Sequence, residues 1–519
     1  MNTLLDHEFG LIPDLIRQHA ADAPDRTALV EGTRRFSYAE LDARMNRVAS
    51  ALQRDGFQPG DALAVCAASS LEYVTLFLGA LRAGVVVAPL APSSTTESLH
   101  RMVGDARARL LFTDAYAVEA VGPVLKNPDP GAVPLTVPRI ALDGSAVGSP
   151  FEAWLAAPGV QPTAVNITAK DAFNIIYSSG TTGEPKGIVQ SHGMRWTHVR
   201  RGSTYNYTAS TVTVLSTPLY SNTTLVVFFP TLSFGGCVVL MPKFDAIGYL
   251  QLAQQHRATH TMLVPVQYQR LMALPEFDNF DLSSFQVKFS TSAPFGAAVK
   301  ADVLKRWPGG LVEFYGMTEG GGTCILDAHL YPDKLHTVGK PAEGHDIRLI
   351  DEAGQEVPVG EAGEVVGHSA GMMTGYYGRP EKTREAEWFD PQGKRFIRTG
   401  DVGRFDAEGF LTLFDRKKDM IISGGFNIYP SDLEAVLNEH PAVFEVAVVG
   451  VPSTDWGETP VAFVVRQPDD ETPAYNLMQW VSARVGKTQR LAAVHFVDEL
   501  PRSAIGKVLK RELRDRLAS

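Results

Sequence analysis

The chain has 519 residues, 45% of them hydrophobic and 20% charged, with a formal net charge of −10. That length exceeds what one hydrophobic core normally serves, so two or more domains are expected. The composition is that of a globular protein, and the negative balance argues against general nucleic-acid binding, which needs a positive surface.

The N-terminal MNTLLDHEFG lacks a basic region followed by an apolar core, so no signal peptide is expected. YAELDARMNRVASALQRDG, Tyr38 to Gly56, places Leu41, Met45, Val48 and Leu52 on one helical face and ends on a stop-signal glycine. DALAVCA then reads as a strand, EYVTLFLGALRAG as a helix and VVVAPLAP as a strand. This alternation predicts an α/β fold, with parallel or mixed sheets flanked by helices. FNIIY and GIVQSH read as two further buried strands on either side of a glycine-rich loop. TLVVFFPTLSFGGCVVLMP, Thr224 to Pro242, approaches the length of a membrane span, but Pro230, Gly235 and Gly236 interrupt it. It reads as a buried helix running into a buried strand, and no membrane span is expected. Cys66, Cys237 and Cys324 lie far apart with no CxxC pair, which fits a reducing cytoplasm and argues against zinc or a disulfide framework.

The texture changes towards the C-terminus. Asp415 to Pro441 is charged, then apolar, turns at Gly424 and Gly425, and enters an amphipathic helix; AVFEVAVVGV and PVAFVVRQ follow as strands. This predicts a small α+β domain over 418–519 behind a large domain over 1–417. Val481 to Ser519 holds nine Lys/Arg against four acids, a balance of +5 that could face an anionic ligand, although a solvated helix face is the more common explanation.

Four motifs suggest chemistry. YSSGTTGEPKGIVQSH combines small residues, whose backbone N–H groups can turn inward, with hydroxyl donors and the charge of Lys186, a composition suited to a phosphate chain. It lacks the G-K-[ST] ending of a Walker loop, and a flexible linker is the alternative. In FYGMTEGGG, Tyr315 could stack on a base, Thr318 donate to an oxyanion and Glu319 hold hydrated magnesium; a polar turn with a core tyrosine is the alternative. In RTGDVGRFDAEGF, Asp401 is placed to accept from a ribose diol, against an ordinary hairpin signalled by DAEG. In LPRSAIGKVLKREL, Lys507 follows Gly506 at the mouth of a helix, against an ordinary solvated lysine.

In residues, order and spacing these motifs together resemble the adenylate-forming superfamily of acyl-CoA synthetases, luciferases and peptide-synthetase adenylation domains, from FSYAELDARMNRVASAL to GKVLKREL. The resemblance implies an AMP-forming ligase that activates a carboxylic acid with ATP and Mg2+ and passes the acyl group to coenzyme A. Ser178, Ser179, Gly180, Thr181, Thr182, Gly183 and Lys186 would hold the phosphates. Ala293 and Pro294 would flank adenine, with Tyr315 stacked on it. Thr318 would meet the α-phosphate, Glu319 the metal, and Asp401 with Arg416 the ribose. Lys507 would bridge the substrate carboxylate and the α-phosphate, and Lys418 would be the hinge about which the small domain rotates. Gly424, Gly425 and Phe426 would line the tunnel for the thiol arm.

Two departures bear on the acid. Ser221 stands where relatives often have a histidine, and where amino-acid-activating relatives have an aspartate, which disfavours amino acids. Thr291 and Ser292 replace two glycines, which should shorten the slot and favour a small acid, with Asn222 and Thr223 available to a polar group on it; His192 and Trp196 are further candidates for its border, although Trp196 reads better as a packed core aromatic. An acyl-carrier-protein acceptor remains open, since it ends in the same thiol arm, and a homodimer is the default for this size.

Overall fold

The computed structural model describes residues 3–117, 137–178, 186–416, 419–423, 426–454, 456–486, 489–503 and 506–518. The helix Tyr38–Arg54 begins at a capping box in which Ser37 and Glu40 satisfy each other's backbone N–H groups, and Leu41, Met45, Val48 and Leu52 form its buried face. The helix Leu71–Arg82 is buried on every side. Its terminal Arg82 is held by Asp42 at 2.6 Å and Asn46 at 2.7 Å.

Two large sheets form the body. One has nine strands in the order Lys340–Pro341, Thr323–Asp327, Gly310–Gly316, Val287–Ser290, His260–Leu263, Val212–Leu215, Cys237–Leu240, Thr27–Glu31 and Arg34–Ser37. Its central strands run parallel. The other has eight strands, with Ala62–Cys66 and Val86–Pro89 parallel as expected, and Ala172–Ser178 antiparallel to Lys186–Ser191. A single apolar cluster joins the sheets, including Leu29, Val238 and Phe289 from the first, Leu63, Val87 and Phe173 from the second, and Phe77 and Phe229 from helices between them. Thr224 to Pro242 is the expected helix, Asn222–Ser233, followed by the strand Cys237–Leu240. Among the described residues no helix is long and apolar enough to cross a membrane.

A third sheet, built on Asp346–Ile350, Gly363–His368 and Arg395–Phe405, ends with Leu411–Arg416. The next strand, Ile421–Ser423, belongs to a different sheet with Phe426–Ile428, Val443–Ser453, Gly457–Arg466 and Ala493–Phe496. Sheet membership therefore changes between Arg416 and Ile421. Within the basic C-terminal stretch, Arg502 pairs with Glu445 at 2.8 Å, Lys510 with Glu434 at 3.0 Å and Arg514 with Asp419 at 2.8 Å, so carboxylates from earlier in the chain occupy these three cations.

What positions the site is the parallel set. The strands Val212–Leu215, His260–Leu263, Val287–Ser290 and Gly310–Gly316 all end on one edge, so the loops 216–221, 291–296 and 317–322 and the start of the helix Pro265–Met272 emerge together, at the carboxyl ends where open α/β sheets carry their ligands. Behind this edge, Lys300 of the helix Ala297–Arg306 forms a fully buried ion pair with Glu313 and donates to the Thr337 carbonyl at 3.1 Å. Lys300→Ala leaves the Glu313 carboxylate buried without its cation. It is expected to destabilise the large domain by about 3–5 kcal/mol in chemical denaturation, with part of the loss recovered by adding Glu313→Gln.

Candidate functional site

The sequence-predicted residues converge on this edge from three sheets. Tyr315, next to last in its strand, donates its hydroxyl to Asp401 Oδ2 at 2.8 Å, and Arg416 reaches the other carboxylate oxygen, Oδ1, at 3.3 Å. Burial and the adjacent Asp401 push the Tyr315 pKa up, so the phenol stays a donor. Asp401 and Arg416 are opposite each other across the hairpin Arg395–Phe405/Leu411–Arg416, whose turn is the DAEG segment. The hairpin reading and the ligand reading of this motif are thus compatible: the hairpin fixes the carboxylate, and its remaining lone pairs can accept from a diol.

The loop after Tyr315 is held at several points. The Glu319 carbonyl accepts from Met373 N at 2.7 Å, the Gly320 carbonyl accepts from Ser369 Oγ at 2.8 Å, and the Thr318 carbonyl accepts from Gln190 Nε2 at 2.9 Å. Gly320 has φ +71, and a Cβ there would collide with the carbonyl oxygen of Gly371. Tyr376, on the short strand Gly375–Tyr376 beside Lys186–Ser191, donates its hydroxyl to Glu319 Oε1 at 2.8 Å. Its ring lies under the Lys186 ammonium, 5.1 Å from Nζ to centroid. Burial, then Glu319, raise the Tyr376 pKa, which keeps this phenol protonated too. Tyr376 was missed by sequence reasoning; the pair of tyrosines between glycines in TGYYG was the available signal.

Among the described residues no group of three or more His, Cys, Asp or Glu could enclose a metal. That suits magnesium, which is bound through one or two carboxylates plus substrate phosphates and keeps several waters. Glu319, partly exposed with one oxygen fixed by Tyr376, fits such a site.

The expected acid slot lies between two of the loops. Ser221 caps the helix Asn222–Ser233 by accepting from Thr223 N at 3.3 Å, Asn222 Oδ1 accepts from Gln190 at 3.3 Å, and the Thr223 and Ser292 hydroxyls bond to each other. Ser292 has φ +83, a left-handed conformation uncommon for a residue with a Cβ. Thr291 and Ala293 are half-buried beside it and Pro294 is exposed. His192 and Trp196 do not border an open slot: they are 4% and 2% exposed, with the His192 ring edge-on to Phe173 at 4.9 Å.

Lys507 lies in a bridged turn that precedes the helix Lys510–Ala518 rather than at its mouth; its N–H donates to Ser503 Oγ at 3.2 Å and its carbonyl accepts from Ser503 N at 2.8 Å. Gly506, at φ +75, brings this turn close to the helix Pro265–Met272, where a Cβ would stand 3.0 Å from Val266 Cγ1. Ser179, Gly180, Thr181, Thr182 and Gly183 lie outside the described residues, as do Lys418, Gly424 and Gly425, and the side chains of Ser178 and Phe426. The strands around the phosphate-loop motif do end as partners, Ser178 opposite Lys186.

The sequence model of the AMP-binding enzyme family matches residues 16–377, and that of the AMP-binding enzyme C-terminal domain matches 432–507. A feruloyl-CoA synthase of Amycolatopsis sp is 33% identical over 96% of this chain and 97% of its own. A fatty acid–[acyl-carrier-protein] ligase of Streptomyces coeruleorubidus is 30% identical over 96% and 95%. The crystal structure of ATP-bound MatB from Rhodopseudomonas palustris superposes with a TM-score of 0.86 at 31% identity, covering 97% of this chain and 98% of that one.

Two outcomes follow from this geometry. Tyr376→Phe removes the donor on Glu319 while keeping the ring under Lys186, and should lower kcat/KM for ATP on the order of tenfold to a hundredfold in steady-state kinetics. Burial pushes the His192 pKa down from 6.5 to about 4, so the folded ring is neutral where the unfolded one is protonated. Its contribution is complete above pH 6.5 and is lost as pH falls towards 4; a melting series over pH should show a shallower acid slope for His192→Phe than for the parent.

Proposed function

Because the chain belongs to the AMP-binding enzyme family and is an ATP-dependent acid–thiol ligase, an acyl-CoA synthetase, we propose that it activates a small carboxylic acid (short- or medium-chain, alicyclic or aryl) as its adenylate and transfers the acyl group to coenzyme A through the residues gathered at the sheet edge. The observation that carries this reading is the convergence of Tyr315, Asp401 and Arg416 on one side of the 317–322 loop with Lys186, Tyr376 and Glu319 on the other.

The chemistry requires a carboxylate, a poor nucleophile, to approach a triphosphate of the same sign. Asp401, fixed by Tyr315 and Arg416, accepts from the ribose diol, and Tyr315 offers its ring to adenine, so the α-phosphorus is held at a set distance from the 317–322 loop. Lys186 meets the β- and γ-phosphates, together with the hydroxyl residues Ser178, Ser179, Thr181 and Thr182. The Thr318 hydroxyl faces the α-phosphate. Glu319 would hold magnesium together with the phosphates, and the ion would supply positive charge to offset the negative charge there. Lys507 spans the acid carboxylate and the α-phosphate and offsets the charge that builds as the carboxylate oxygen attacks phosphorus and pyrophosphate leaves. In the second step the thiol sulfur attacks the acyl carbon and AMP departs, with Gly424, Gly425 and Phe426 lining the path of the thiol arm. We place the hinge for this exchange at Lys418, between a large domain of 1–417 and a small one of 418–519; the change of sheet between Arg416 and Ile421 supports that boundary. A cytoplasmic location fits the three unpaired cysteines, and a homodimer is proposed only by default.

Small acids are favoured by the hydroxyl contact between Thr223 and Ser292, which places side chains where glycines would leave space. A second reading, transfer to a carrier-protein thiol, has the carrier-protein ligase relative in its favour.

Pyrophosphate release from ATP, with and without coenzyme A, across short-chain, medium-chain, alicyclic and aryl acids tests the proposal. The expected result is coenzyme A-dependent turnover with a small acid, reduced on the order of 10²–10³-fold in Lys507→Ala. Turnover only with a carrier protein would replace the acceptor, and a preference for long-chain acids would refute the short slot.

A further inference from the structure

Behind the expected acid slot lies a buried cation whose described partners are all neutral. Arg195 is 1% exposed, and its guanidinium stands 5.8 Å from the Phe173 ring centroid and 6.0 Å from that of Phe229. No carboxylate pairs with it among the described residues. Its Nε and Nη2 both donate to Asn174 Oδ1 at 3.2 Å, and Nη2 also donates to Gln190 Oε1. Burial lowers its pKa only to about 9, so the group is charged at neutral pH.

An arginine can only donate, and this fixes the direction of every amide beyond it. Gln190 must turn its oxygen towards Arg195, where Asn174 Nδ2 also donates to it at 3.1 Å. Gln190 Nε2 is then obliged to donate outward, and it does so twice, to the Thr318 carbonyl at 2.9 Å and to Asn222 Oδ1 at 3.3 Å. Asn222 must therefore present oxygen to Gln190 and keep its NH2 on the other side. That NH2 has no partner among the described residues, and Asn222 stays partly exposed while its neighbours Ser221 and Thr223 are buried. Thr223 is bonded to the Ser292 loop and Gln190 to the Thr318 loop, so Asn222 stands between the two loops that bound the slot.

We propose that Asn222 Nδ2 is a hydrogen-bond donor to the acid, that Arg195 is the positioning residue which sets its direction through Gln190, and that the preferred acids therefore carry an acceptor oxygen (keto, carboxylate, hydroxyl or ether) besides the reacting carboxylate. This rests on the acid-ligase reading above. The opposite polarity, a slot that selects an amine or other donor, would need Asn222 reversed, which would break its hydrogen bond from Gln190 and set two NH2 groups against each other. The chain of donors also strengthens its last member, because each amide is polarised by the one behind it.

The test is acid-dependent pyrophosphate release with pairs of acids that differ in one oxygen-bearing group: hexanoic against 5-oxohexanoic, pentanoic against glutaric, cinnamic against 4-methoxycinnamic. The full-length enzyme should favour the oxygen-bearing member of at least one pair by about tenfold or more in kcat/KM, as expected when a site donor would otherwise be left unpaired. Asn222→Ala should bring that ratio to within about threefold. Arg195→Met should reduce the ratio through KM for the acid while leaving KM for ATP in place, and Arg195→Lys, which can still donate, should restore part of it. Absence of preference in the parent enzyme, or an undiminished preference in Asn222→Ala, overturns the assignment while the ligase reading stands. Absence of acid-dependent turnover with every acid overturns both.

Discussion

The arrangement depends on holding a cation and an anion near each other without letting them neutralise one another. Lys186, on a strand of the eight-stranded sheet, and Glu319, on a loop of the nine-stranded one, would gain by pairing directly, which would cancel the charge each offers to a ligand. The Tyr376 ring separates them: its face takes the ammonium and its hydroxyl takes the carboxylate. Both groups are satisfied enough to be held in place and both keep valences open. The same device recurs at Tyr315, which steadies Asp401 while Arg416 holds the opposite oxygen.

Such spacing requires the loops to be stiff, and their stiffness comes from the backbone. Carbonyls of residues 318, 319 and 320 each accept from a different neighbour, Gln190, Met373 and Ser369. Two other segments of the chain, the strand Lys186–Ser191 and the connection 369–374, must therefore be folded before the loop has its shape. Glu313, on the strand that delivers this loop, is tied by its buried pair with Lys300 to the helix behind the sheet, which anchors the strand.

Much of this was legible in the sequence because it depends on local pattern. The alternation of amphipathic helix and apolar strand announced the parallel sheets, and the motifs FYGMTEGGG and RTGDVGRFDAEGF marked Tyr315, Glu319 and Asp401, which the fold brings to one edge. Pairings across sheets were not legible: nothing near Glu319 in the chain points to Tyr376, and nothing near Asn222 points to Arg195. The charge count of the C-terminal stretch could not show that Arg502, Lys510 and Arg514 are paired, because their partners, Glu445, Glu434 and Asp419, lie outside the window counted. His192 looked like a slot residue from its place after the loop, but the helix turns it into the core together with Trp196, whose packing was the better reading of the sequence.

The left-handed backbone at Ser292 has an evolutionary consequence. Glycine adopts that conformation freely and serine only under constraint, so the main chain there is already shaped for a residue without a side chain. Exchanging the two would change the dimensions of the neighbouring space without asking the sheet, the helix or the 317–322 loop to move. A lineage could alternate between narrow and wide acid preferences at this codon with the rest of the fold as a constant, and descendants of one such enzyme could diverge in diet long before they diverge in architecture.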